Sequence, residues 1–122
     1  MRVLVCGGRE CWDYTSIQQE LNDFSIEITE IIEGGARGAD ACAHAWALLN
    51  GVKCTTVNAD WDKHGKAAGP IRNAEMLKLK PDYVLAFEGG VGTANMLKQA
   101  RAAGVPSTHF GKRDRQLLII RK

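Results

Sequence analysis

The chain has 122 residues, 45% of them hydrophobic, and a net charge of +2. That length and composition fit one globular domain with a single core. The near balance of charge excludes a strongly basic surface as the defining feature, and no apolar run approaches the roughly 20 residues of a helical membrane span.

Strand-like and helix-like segments alternate along the whole chain. Residues 2–6 form a continuous apolar run, the pattern of a strand covered on both faces, and the glycine pair Gly7-Gly8 follows it. This start is too short and glycine-rich for a signal peptide, so a cytoplasmic setting is expected. The first helix is expected from Thr15, with Thr15 and Gln18 as a capping box and Ile17, Leu21 and Phe24 as its apolar stripe. Residues 30–33 read as the second strand. A glycine turn, Gly34-Gly35-Ala36-Arg37-Gly38-Ala39-Asp40, leads into an apolar helix over 39–50 that Gly51 closes. Residues 53–57 read as the third strand and 58–69 as a long polar connection of the kind that often carries function. Pro70 suits the start of the next helix, which ends near Leu79 and is expected to bury Ile71, Ala74 and Leu77. A fourth strand over 82–87 runs into a second glycine turn, Gly89-Gly90-Val91-Gly92-Thr93. The helix over 93–103 turns Met96, Leu97 and Ala100 inward and stops at Gly104 and Pro106. Residues 107–110 read as a fifth strand. The tail, 111–122, has five basic residues in twelve, and Leu117 to Ile120 read as an edge strand or an oligomer contact. The alternation predicts a Rossmann-like three-layer α/β/α sandwich, one domain with a mainly parallel sheet of five or six strands.

In such a sheet ligands bind beyond the carboxyl ends of the strands, where the glycine turns, the 58–69 connection and the Pro70 helix all lie. Glycines there let a ligand approach the backbone, and each new helix offers unpaired N–H groups and the positive end of its dipole. The glycines expected at a ligand are Gly7, Gly8, Gly35, Gly38, Gly89, Gly90 and Gly92. Arg9, Arg37 and Arg72 are the candidate anion clamps, since a guanidinium offers a planar fork matched to phosphate. Thr93 is expected to cap its helix and donate to a phosphate. Trp61 has the chemistry to stack on a base beside Asp60, with Lys63 and Lys66 reaching phosphates. Packing of the indole onto the core is the alternative.

Asp40 and Glu75 are the candidate general bases, and Asn73 stands beside Arg72 at the ligand. A capping role for Asp40 and a surface pair of Glu75 with Lys78 are the simpler readings. His44, one turn beyond Asp40, is expected either to bond to it or to be a satisfied structural histidine. Asp60, Asp62 and His64 carry cation-ligand chemistry, but three such residues in a polar loop are common by chance, and no metal or cofactor is expected. Cys6, Cys11, Cys42 and Cys54 lack C-x-x-C spacing, which predicts free thiols rather than a disulfide framework or a zinc site.

In order, Gly7-Gly8-Arg9, the first glycine turn, Ala59-Asp60-Trp61, Ala68-Gly69-Pro70-Ile71-Arg72-Asn73 and Gly89-Gly90-Val91-Gly92-Thr93-Ala94 resemble the SLOG superfamily. That group includes the LOG-type nucleotide phosphoribohydrolases and the DNA-processing protein A family, and the likeness is greatest to small YspA-type domains. It reaches from the first strand to about Pro106 and implies a pocket for a nucleotide or nucleotide derivative. A LOG-type second motif reads Pro-Gly-Gly-x-Gly-Thr-x-x-Glu, with the glutamate serving in cleavage of the N-glycosidic bond. Here Glu88 falls in the proline position and Met96 in the glutamate position, so the phosphate cradle is kept and that catalytic group is not. Residues 36–44 and Arg72-Asn73 resemble the DNA-processing family, which implies single-stranded nucleic-acid contact as an alternative. A homodimer is expected from relatives and the unplaced tail. The leading expectation is a sensor, sequestering protein or nucleotide hydrolase for a small nucleotide-derived ligand. A non-catalytic interaction subunit is the third reading.

Overall fold

The computed structural model describes residues 1–10 and 13–110, so the expectations for Cys11 and for the 111–122 tail lie outside the described residues. Five strands, β1 (Arg2–Cys6), β2 (Glu30–Glu33), β3 (Lys53–Thr56), β4 (Tyr83–Phe87) and β5 (Ser107–Phe110), form one sheet in the order β3-β2-β1-β4-β5. Every pairing is parallel, as the uninterrupted β–α alternation requires. The chain therefore has the Rossmann-like α/β fold. No helix among the described residues is long and apolar enough to cross a membrane.

Strand alternation divides the core in two. Val3, Val5, Ile31, Leu85 and Phe87 face α1 (Tyr14–Asn22) and α2 (Ala39–Leu49), meeting Ile17, Leu21, Ala43 and Trp46. Leu4, Cys6, Ile32, Val84 and Ala86 face the opposite layer, α4 (Ala68–Lys78) and α5 (Val91–Ala102), where Met76, Met96 and Ala100 pack. Crossovers on the two faces diverge between β1 and β4, which makes the carboxyl ends of those neighbours the topological switch point.

Four boundaries differ from the expectations above. α1 begins at Tyr14 because Asp13, not Thr15, caps it: Asp13 Oδ1 accepts from Ser16 N at 3.2 Å. The 58–69 connection is itself partly helical, with a short α3 (Trp61–His64) capped by Asp60 and a 3₁₀ turn (Gly65–Ala67) running into α4. α4 starts at Ala68, two residues ahead of Pro70, whose missing N–H still falls among the unpaired donors of the first turn. α5 starts at Val91 on Gly90, so Thr93 lies inside the first turn rather than at the cap.

The buried face of α4 is also rotated from the one expected. It carries Asn73 and Met76, with Ile71, Ala74 and Leu77 only half-buried. Burial of a polar side chain there is made tolerable by its hydrogen bonds, Asn73 Nδ2 to Gly92 O (3.2 Å) and to Asn95 Oδ1 (3.1 Å).

Candidate functional site

A cavity of about 680 Å³ opens at the switch point, within the size range of small-molecule sites. It is lined by the turn after β1 (Gly7, Gly8, Arg9), both later glycine turns, and the start of α4. The three turns are tied together through one residue: Gly8 N donates to Glu88 O at 2.8 Å, and Gly8 O accepts from Ala39 N at 3.3 Å. Close packing needs glycine at two positions in particular. A Cβ on Gly7 would lie 2.5 Å from Ala39 Cβ, and Gly38, at φ +81°, would drive one into the carbonyls of Gly8 and Arg9.

The first glycine turn is closed by the protein's own carboxylates. Asp40 Oδ2 accepts from Gly34 N (3.2 Å) and Ala36 N (3.3 Å), and Glu33 Oε1 accepts from Gly35 N (2.6 Å). Asp40 is 5% exposed. Burial is the main force pushing its carboxyl up to about 6, helped by the nearby Glu33, against the pull of the Ala36 and Gly34 amides and the Arg72 guanidinium. Cys6, on the cavity wall, is pushed up to about 12 by burial and by Asp40, so its thiol stays protonated.

The second turn is built differently. α5, like α2, has no side-chain cap, and helix geometry gives the first-turn N–H groups of Val91, Gly92 and Thr93 no intrahelical acceptor; the difference lies in the space at the turn. Gly90, Gly92 and Thr93 line the cavity, and a Cβ on Gly90 or Gly92 would meet nothing within 4 Å. Thr93 is buried with its hydroxyl turned toward Gly89. Asn73 holds this turn in place through Gly92 O and in turn accepts from Arg72 Nε at 3.2 Å.

Of the three arginines, Arg72 is the most fixed, with Nη1 donating to Gly34 O at 2.7 Å. Arg9 lies over the Trp61 ring, its guanidinium carbon 5.6 Å from the centroid. Trp61 lines the cavity and is 47% exposed, so its indole is not the core-packing residue of the alternative reading. Arg37 also lines the cavity, but its guanidinium is paired at 2.6 Å with Glu10, and both side chains are exposed.

Several predicted site residues lie off the cavity wall. Gly35 and Asp40 are on it, whereas Gly38 and Gly89 stand behind it. Asp60 caps α3 through Lys63 N (3.1 Å), and the exposed Lys63 does not line the cavity. Glu75 occupies the exposed side of α4, away from the lining, because the helix turns Asn73 and Met76 inward instead. His44 bonds to Glu33 rather than to Asp40, since its turn of α2 rests over β2 and β3. Asn58, Cys6 and, from the Ala59-Asp60-Trp61 motif, Ala59 line the cavity although none is among the expected ligand residues. All three sit at the carboxyl end of β1 or β3, so the sheet-edge rule was signal enough.

Met96, at the LOG-type glutamate position, is fully buried with Leu4 and Ala86 in the core. Among the described residues, His/Cys/Asp/Glu donors gather closely enough to hold an ion at Glu33, His44 and Cys54, not at Asp60, Asp62 and His64. Cys6 and Cys54 are free thiols.

Comparison with known proteins adds two findings. Residues 1–64 match the YspA, cpYpsA-related SLOG family. The chain is also similar to the Gene 61 protein of Mycobacterium phage D29, 40% identical over 120 residues that cover 90% of this chain and 96% of the relative.

Proposed function

The chain belongs to the YspA, cpYpsA-related SLOG family, and from that premise we propose that its cavity binds a small nucleotide or nucleotide derivative through an anionic group at the second glycine turn. The observation that carries this reading is the uncapped first turn of α5, facing a cavity that also holds Arg9 and Arg72. Unpaired N–H groups, the positive end of a helix dipole and guanidinium forks favour the same kind of ligand, a phosphate. The Trp61 face, with Arg9 already over it, suits a base at the other end of the ligand. Asp40 is poised for a ribose hydroxyl between these ends.

The proposed activity is binding rather than turnover. The methionine at the LOG-type glutamate position lies in the core and has no group to move a proton. Asp40 is the candidate carboxylate on the cavity wall, and its oxygen Oδ2 is engaged by two backbone amides.

The experiment is a thermal-shift panel of AMP, ADP-ribose and cyclic nucleotides on protein freed of co-purifying ligand. A ligand specific for the native state at about 100 times its Kd stabilises by about 2.7 kcal/mol, a rise on the order of 10 °C for a domain of this size. No rise with any nucleotide would end the proposal. Affinity that instead grew with oligonucleotide length and fell steeply with salt would favour a single-stranded nucleic-acid module.

A further inference from the structure

At the sheet edge, on the face covered by α2, three donor atoms from three elements converge. Glu33 Oε2 lies 3.3 Å from His44 Nδ1 and 3.7 Å from Cys54 Sγ, and the histidine nitrogen is 3.4 Å from the sulfur. Glu33 ends β2, His44 lies on α2, and Cys54 lies on β3 opposite Ile31. The ligand cavity uses none of the three.

Two chemistries need considering for a Cys, a His and a Glu in contact. A nucleophile–base–orienter relay requires the histidine to meet the thiol with one ring nitrogen and the carboxylate with the other. Here Nδ1 faces both partners, so the arrangement is not a relay. Donors converging on one point are the geometry of coordination. An ion held tetrahedrally with metal–donor bonds of about 2.0–2.3 Å sets its donors about 3.3–3.6 Å apart, close to the three separations found. A thiolate, an imidazole and one carboxylate oxygen form a borderline-soft set that suits zinc and its analogues better than calcium or magnesium.

We propose that Glu33 Oε2, His44 Nδ1 and Cys54 Sγ form a binding site for one divalent ion of zinc type. Glu33 can serve without loosening the first glycine turn, because its other oxygen, Oε1, is the one held by Gly35 N. Thr56 Oγ1, which also bonds to Oε2, or a water completes a fourth position. The His44 side chain is 46% exposed, which gives an ion a path from solvent, while Glu33 is almost wholly buried beneath it. On binding, the Cys54 thiol proton and any proton on Nδ1 leave to solvent, and the metal–sulfur and metal–nitrogen bonds replace them.

The test is titration of the full chain, stripped of metal, with Co²⁺ followed by Zn²⁺ competition. One Co²⁺ per chain with a thiolate-to-cobalt charge-transfer band, displaced by Zn²⁺, is the expected result. Cys54→Ser removes the band and weakens Zn²⁺ at least 10-fold; His44→Gln, at a half-exposed position and checked for a wild-type circular dichroism spectrum, weakens it at least 10-fold with the band retained. Absence of a one-to-one complex, or a band and affinity unchanged in either variant, overturns the site and assigns any binding to other donors. Nucleotide binding is independent of this outcome, since neither variant touches the cavity.

Discussion

The turn after β2 and the turn after β4 each carry paired glycines and each open a helix, yet they present opposite faces to the cavity. In the first, Asp40 and Glu33 occupy the amides of Gly34, Gly35 and Ala36. Both helices begin without a side-chain cap, but in the second turn there is open space around Gly90 and Gly92. A glycine-rich strand-to-helix turn is thus not in itself an anion site. A carboxylate supplied within the turn fills the place a phosphate would take and also repels one. Gly38 in the first turn and Gly89 in the second serve packing, whereas Gly90 and Gly92 face open space.

The sharpest contrast between the turns is steric. Gly38→Ala places a methyl against two backbone carbonyls at a positive φ, and we expect a loss of roughly 3 kcal/mol or more in chemical denaturation. An unfolding midpoint close to wild type would show that the first turn tolerates what its packing forbids. Next in size is the pH dependence of Asp40. Its folded carboxyl titrates near 6, above the ordinary 3.8, so the native state binds the proton more tightly than the unfolded chain. Stability from this group is present below about pH 4 and is lost as pH rises through about 6. The stability of Asp40→Asn relative to wild type should therefore increase by on the order of 2–3 kcal/mol between pH 4 and 7. A pH-independent difference would contradict the buried, protonatable carboxyl.

Arg72→Ala removes the guanidinium fixed on Gly34 O and should weaken nucleotide binding roughly 10- to 100-fold in calorimetry. Unchanged affinity would remove Arg72 from the site. Gly92→Ala has the smallest effect on folding and reverses the sign seen at Gly38. Its methyl meets nothing, and alanine favours a helical position, so stability should rise by about 0.5–1 kcal/mol while the nucleotide-induced thermal shift disappears. A shift as large as wild type would mean that the ligand does not sit on this turn.

Much of this was legible in the sequence. The order of elements, the parallel sheet and the convergence of glycine turns, Arg9, Trp61 and Arg72 at one edge follow from β–α alternation and the position of turn residues. Hydrogen-bond partners between elements were less accessible, because they depend on how far each helix rotates over the sheet. Rotation of α4 puts Asn73 inside and Glu75 outside, and the seating of α2 gives His44 to Glu33 and Cys54 instead of Asp40. The closure of the first turn was hidden for the same reason. Asp40 was visible as a first-turn carboxylate, but nothing in its spacing showed that it curls back onto Gly34 and Ala36.

The most direct test of the contrast between the turns follows the backbone amides of ¹⁵N-labelled protein during titration with AMP. The amides of Val91, Gly92 and Thr93 should move most as the phosphate takes up their free N–H groups, while Gly34 and Ala36, held by Asp40, move little. Larger shifts at Gly34 and Ala36 than at the start of α5 would contradict the account and place the anion on the turn that the protein's own carboxylates are proposed to close.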